Sequence, residues 1–182
     1  NRKRPRGIDG FYGMAGTAQW CLGRPDRAVA EWRGGLACEF VDVAGGVELP
    51  LLLYHASVME SGAFPRAEAM RLLEARANDG RASIWPGPVA AYLLDWIDED
   101  DLRREGEEED DSDTAINNWM ADFYLAVRDH DRGDDSRFAE LMQGTATTTD
   151  DDFDPKASNF LTKLWHYELF LARHYVESGR AS

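Results

Sequence analysis

His166 and His174 lie eight residues apart in a stretch with helical periodicity, which puts them on one face about two turns from each other. Histidines that share a metal ion on one helix sit three or four residues apart, so this spacing predicts two ordinary surface or groove side chains. Glu168, between them in sequence, points elsewhere. The run Asp129-His130-Asp131-Arg132-Gly133-Asp134-Asp135, with Glu140 beyond it, has the acidity of a calcium loop. An EF-hand needs glycine at its sixth position for the sharp turn and an apolar residue at its eighth. Those positions hold Asp134 and Ser136, and the match fails. Asp150-Asp151-Asp152-Phe153-Asp154 reads as a solvated loop rather than a cation site. Carboxylates are plentiful enough for paired acid-base work, but nearly all fall in polar loops where nothing would raise a pKa. No serine sits in a nucleophile elbow, and no glycine-rich loop follows a strand to cradle phosphate. The expectation is a protein that is not an enzyme, with no catalytic residue, metal or cofactor. The competing catalytic reading is a metal-dependent hydrolase using His166, His174 and loop carboxylates.

The composition narrows the partners. The chain has 182 residues, 43% of them apolar, with six Trp, which is ample for a packed interior. Its formal charge of -14 arises from 34 acidic against 20 basic residues. Such a surface repels nucleic acid and anionic lipid and favours a basic partner, although GC-rich coding or salt adaptation produces the same acidity. Cys21 and Cys38 are too few for a disulfide framework and lack metal-ligand spacing, so two reduced, buried thiols are expected. The most hydrophobic run, Leu49 to Ala56, is far too short to span a bilayer. The chain begins at Asn1 and continues Arg2-Lys3-Arg4-Pro5-Arg6, a basic tail of residues 1–7. A cytoplasmic location is expected, or a periplasmic or lipid-anchored one if an N-terminal signal was removed.

The elements follow from periodicity and breakers. Phe11, Tyr12, Met14, Ala15, Ala18 and Leu22 recur at steps of three and four and predict a helix over 8–22. Gly23-Arg24-Pro25-Asp26 breaks it, and Pro25 opens a second helix to about Cys38. Residues 43–48 read as a loop. Helices over 49–61 and 65–77 make a second hairpin, and after a turn at 78–81 Trp85-Pro86-Gly87-Pro88 starts another helix with Val89, Tyr92, Leu93 and Ile97 on its apolar stripe. Asp98 caps a short helix containing Leu102. An acidic connection over 105–113, a long helix over 114–130, a turn at Gly133, a helix ending near Gln143, an acidic loop over 145–154 and a final helix over 155–177 complete the chain. No segment alternates like a strand; Glu39 to Glu48 comes closest. The whole of 8–179 reads as one helical domain.

Tyr12, Ala15-Gly16, Gly23, Ala28, Trp32 and Gly35 fall at the spacings of a tetratricopeptide (TPR) hairpin, and Leu125-Ala126, Gly133, Phe138 and Met142 form a second copy. The order of Leu51-Leu52-Leu53-Tyr54-His55-Ala56, Ala67 to Leu73, Val89 to Leu94, Ile97-Asp98-Glu99, Leu102 and Ala121 to Ala126 resembles the TPR lipoproteins of bacterial envelopes, the NlpI-like group, over residues 11 to 143. The resemblance implies an all-α fold, a right-handed superhelix of antiparallel helical hairpins (a TPR-like α-α solenoid). It also implies a non-catalytic adaptor or scaffold that dimerises and docks proteases or cell-wall enzymes. There is no lipid-acceptor cysteine near the start, since Cys21 lies inside the first helix. Related repeat proteins resemble immunity proteins, so an acidic protein neutralising a basic toxin is the alternative. In a solenoid the first helices of successive pairs line a concave groove. That register places Thr17 and Trp20, with Phe123, Val127 and His130, on the surface that would take a protein or peptide partner, with burial against a neighbour the competing position for each.

Overall fold

The computed structural model describes residues 7–78, 83–107, 114–147 and 167–181. The basic tail at 1–6, the turn at 79–82, the acidic residues 108–113 and the segment 148–166, which contains His166 and the start of the expected last helix, lie outside the described residues. Nine α-helices run through the described residues, and the fold is all-α. The chain divides into two compact units, residues 1–94 and 95–182.

The first unit contains α1 (Asp9–Cys21), α2 (Pro25–Gly35), α3 (Glu48–Met59), α4 (Arg66–Ala77) and α5 (Gly87–Leu93). Helix α1 ends where the Gly23 N–H bonds the Trp20 carbonyl at 2.8 Å and the Arg24 N–H bonds that of Gln19 at 3.0 Å. This paired closure needs a left-handed residue, which Gly23 supplies at φ 70°. Pro25 then starts α2, whose first turn needs no proline N–H. The short connection folds α2 back on α1, and Trp32 crosses between them with its indole N–H bonded to the Gly13 carbonyl at 3.2 Å. Helix α3 buries every residue from Leu49 to Ala56. A helix that is apolar all round must be central, and α3 packs against α1, α2 and α4. Its start is held by Asp42, whose carboxylate accepts the N–H groups of Gly46 and Glu48, each at 3.0 Å. The Asp42 N–H in turn donates to Asp9, and Ile8 pairs with Phe40 in a single parallel bridge, all that becomes of the strand-like stretch after Glu39.

The second unit contains α6 (Glu99–Glu107), α7 (Thr114–Asp131), α8 (Asp135–Thr147) and α9 (Tyr167–Glu177). The apolar stripe expected to reach Ile97 stops at Leu93, because Asp95 takes a left-handed conformation (φ 60°) that a short polar side chain tolerates. Asp98 caps α6 as expected, accepting the Asp101 N–H at 2.9 Å. Helix α6 also absorbs residues 105–107 of the expected acidic loop, and α8 runs past Gln143 to Thr147. Helix α7 is the core, with every residue from Phe123 to Asp129 buried. Its end repeats the closure of α1: the Gly133 N–H bonds the His130 carbonyl at 3.0 Å and the Asp134 N–H bonds that of Asp129 at 2.9 Å, with Gly133 at φ 85°. Counted from the two turn glycines, Ala28 matches Phe138 and Trp32 matches Met142, and all four are buried. The two copies of the hairpin read from the sequence therefore share one turn and one buried register.

Candidate partner-binding surface

Four of the five residues expected to line a groove are interior. Thr17 and Trp20 are 3% exposed, and Phe123 and Val127 are 0% exposed. The reason is that the first helices of both hairpins are covered on the expected face. The Trp20 ring stacks 5.7 Å from that of Trp32 and lies 4.8 Å from the His55 imidazole. Phe123 packs edge-on to Tyr124 at 5.1 Å. Only His130 reaches the surface, where its Nδ1 lies 2.7 Å from Asp135 and its ring 4.9 Å from Phe138. Thr17 and Trp20 lie one turn apart on α1 in the first unit, where Trp20 packs on His55, and Phe123, Val127 and His130 fall on successive turns of α7 in the second.

The apolar surface lies elsewhere. Phe11, Phe40 and Val43 are 54%, 60% and 70% exposed, and Ile8 is also exposed. They follow one path of backbone: Ile8 faces Phe40 across the bridge, Phe11 is one helical turn beyond Ile8, and Val43 follows the Asp42 that Asp9 holds. In the second unit Trp96 stands exposed beside Asp95 and Asp98. Periodicity assigned Phe11 to the buried stripe of α1 and had no signal for Phe40 or Val43, whose exposure depends on how the loop after α2 returns to the start of α1.

Charge separates between the units. Residues 1–94 carry 11 Lys and Arg against 10 Asp and Glu, whereas residues 95–182 carry 9 against 24, so the units net +1 and -15. Part of this acidity is structural. Glu99 receives Arg137 at 2.6 Å and Arg103 at 3.1 Å, Arg103 also meets Asp122 at 3.0 Å, and Arg137 meets Asp129 at 3.3 Å, tying α6, α7 and α8 together. Asp100, Glu107, Glu140 and Glu177 remain exposed.

The groups with perturbed acidity fall into separate small sets rather than one site, Asp9 with Cys38 in the first unit and Glu99, Arg103 and Asp129 within the ion-pair network of the second. Burial pushes the Cys38 thiol up, with the Asp9 charge adding to it, which keeps it protonated and unreactive. Burial also raises Asp9, against the opposing bond from the Asp42 N–H. Partial burial lowers His174, and Arg180 lowers it further. Glu168, read from the sequence as pointing away from the two histidines, is enclosed in the second unit; burial drives its carboxyl up to about 7 against the bonds from its own backbone N–H and from Tyr124. Among the described residues, no group of three or more His, Cys, Asp and Glu is placed to hold a metal ion, and no helix is long and apolar enough to cross a membrane. Comparison of the chain with protein-family models, with curated proteins and with solved structures gives no match.

Proposed function

We propose that this chain is a non-catalytic helical interaction module, a TPR-like adaptor or scaffold, that holds a basic protein or peptide partner. In this reading its hairpins continue a right-handed superhelical stack, and the second unit supplies the docking charge. The observation that carries the proposal is the partition of charge: a net of -15 on residues 95–182 beside a nearly neutral first unit. Coding bias or salt adaptation would acidify both units alike, so the asymmetry favours a role for the charge. A surface of one sign steers a partner of the other and gives fast, salt-sensitive association. The burial of Thr17, Trp20, Phe123 and Val127 moves the contact away from the inner faces of α1 and α7, toward exposed carboxylates and His130.

The same asymmetry favours a second reading, an immunity protein whose acidic unit plugs the basic active site of a toxin. The two are separated by what is captured. Affinity capture from native lysate in about 50 mM and 200 mM salt, followed by mass spectrometry, returns a basic protein whose retention falls by orders of magnitude with salt. A secreted nuclease or similar toxin among the retained proteins selects the immunity reading, and a protease or cell-wall enzyme selects the adaptor. Retention that ignores salt, or only acidic proteins retained, refutes both.

A further inference from the structure

Helix α9 contributes one carboxyl group to the interior of the second unit. Glu168 is 1% exposed, on a turn that also buries Tyr167, Leu169, Leu171 and Ala172. Its Oε1 receives the Tyr124 hydroxyl from α7 at 2.9 Å, and its Oε2 is buried with no hydrogen-bond partner among the described residues. No cation among them answers it. On α7, Arg128 lies one turn beyond Tyr124 and is committed to Asp95; on α8, Arg137 is committed to Glu99 and Asp129. On α9 itself, Arg173 donates to the Ala146 carbonyl at 3.3 Å, and His174 and Glu177 lie further along the helix. A carboxylate held only by the Tyr124 hydroxyl and its own backbone N–H, with no counter-charge among the described residues, is far costlier to bury than a neutral carboxyl group in the same place.

We propose that Glu168 makes the seating of α9 on α7 and α8 proton-dependent, so that the C-terminal helix is clasped tightly in mild acid and loosened at neutral and alkaline pH. When α9 is seated, Glu168 holds its proton up to about pH 7. When α9 lifts off, the carboxyl meets water and returns to its ordinary value of 4.5. The seated state therefore binds the extra proton between these values. Its advantage is complete below 4.5, declines as pH rises, and is gone above about 7. The opening constant of α9 rises about 40-fold between pH 5 and pH 7 and then levels off. This device belongs to the chain itself and stands or falls apart from any partner.

Native-state hydrogen exchange on the full chain tests it. With intrinsic exchange corrected for pH, amides of residues 167–177 show an opening constant that climbs about 40-fold from pH 5 to 7 in the wild type, while in Glu168→Gln the constant is flat over the same range. Equal profiles in the two proteins, or a flat wild-type profile, overturn the proposal. A second measurement needs no variant: the carbon-13 signal of the Glu168 carboxyl titrates with a midpoint near neutrality, and a midpoint below 5 overturns it.

Discussion

Gly16 and Trp32 allow the packing of the first hairpin to be tested quantitatively. A Cβ placed on Gly16 would lie 2.2 Å from the Trp32 indole nitrogen and 2.5 and 2.7 Å from its Cδ1 and Cε2. The ring cannot swing clear, because Trp32 is wholly buried between Trp20 and His55. Gly16→Ala gains about 0.5–1 kcal/mol of helix propensity. Against this stand about 1–3 kcal/mol of overpacking and about 1–3 kcal/mol for an indole N–H pushed off the Gly13 carbonyl. The net expectation is a loss of about 2–4 kcal/mol. At the same distance before its turn glycine, the second hairpin has Ala126, paired with Met142 rather than Trp. Gly16→Ala should therefore be neutral or slightly stabilising in a Trp32→Met background, a coupling of about 3 kcal/mol in a double-mutant cycle. Gly144→Ala, where nothing lies within 4 Å of the new methyl, is the control and should stabilise α8 by about 0.5–1 kcal/mol. Urea unfolding followed by circular dichroism reads the wild type and all four variants. An equal Gly16→Ala effect in both backgrounds refutes the account of the hairpin.

Other outcomes follow from the burial pattern. Phe123→Ala should cost about 3–5 kcal/mol, so its loss of binding would come with a lowered Tm; an unchanged Tm would contradict its placement in the core. Thr17→Val should be neutral or stabilising by up to about 1 kcal/mol, since the buried Thr17 hydroxyl has no partner among the described residues, and a clear loss in urea unfolding would reveal a bond there. At Glu99, partial burial raises the carboxyl and the bonds from Arg137 and Arg103 more than offset it, leaving it below its ordinary range. Its stabilisation of about 0.5–1 kcal/mol is present above pH 4.5 and lost as pH falls through the lowered value. Glu99→Gln should then be less stable than wild type at pH 6 and converge on it near pH 3, and a constant difference would show the ion pairs to be inert.

What the sequence made legible was local. Gly23 and Gly133 announced two turns of one kind, Pro25 and Asp98 announced two helix starts, and the stretch from Leu49 announced a helix too short to cross a bilayer. These are short-range effects, set by backbone freedom and by polar groups one turn away. The candidate surface was less legible, because exposure is decided by neighbours distant in the chain. Trp20 was assigned to a groove on the generic register, yet α2 and α3 bring Trp32 and His55 onto its ring. Phe40 and Val43 carry no periodicity, and their exposure follows from the Asp9–Asp42 contact. Glu168 was read only as pointing away from His166 and His174, and the packing of α9 against α7 and α8 makes it an interior acid.

Binding through the acidic unit is tested most directly by neutralising exposed carboxylates outside its ion-pair network. Immobilised wild type and a variant with Asp100→Asn, Glu107→Gln, Glu140→Gln and Glu177→Gln, all at exposed positions, are compared for capture from the same lysate in about 50 mM salt. The account predicts that a basic protein held by the wild type is lost or at least tenfold depleted on the variant, with the helical content of the variant unchanged. Equal capture by a correctly folded variant would contradict it.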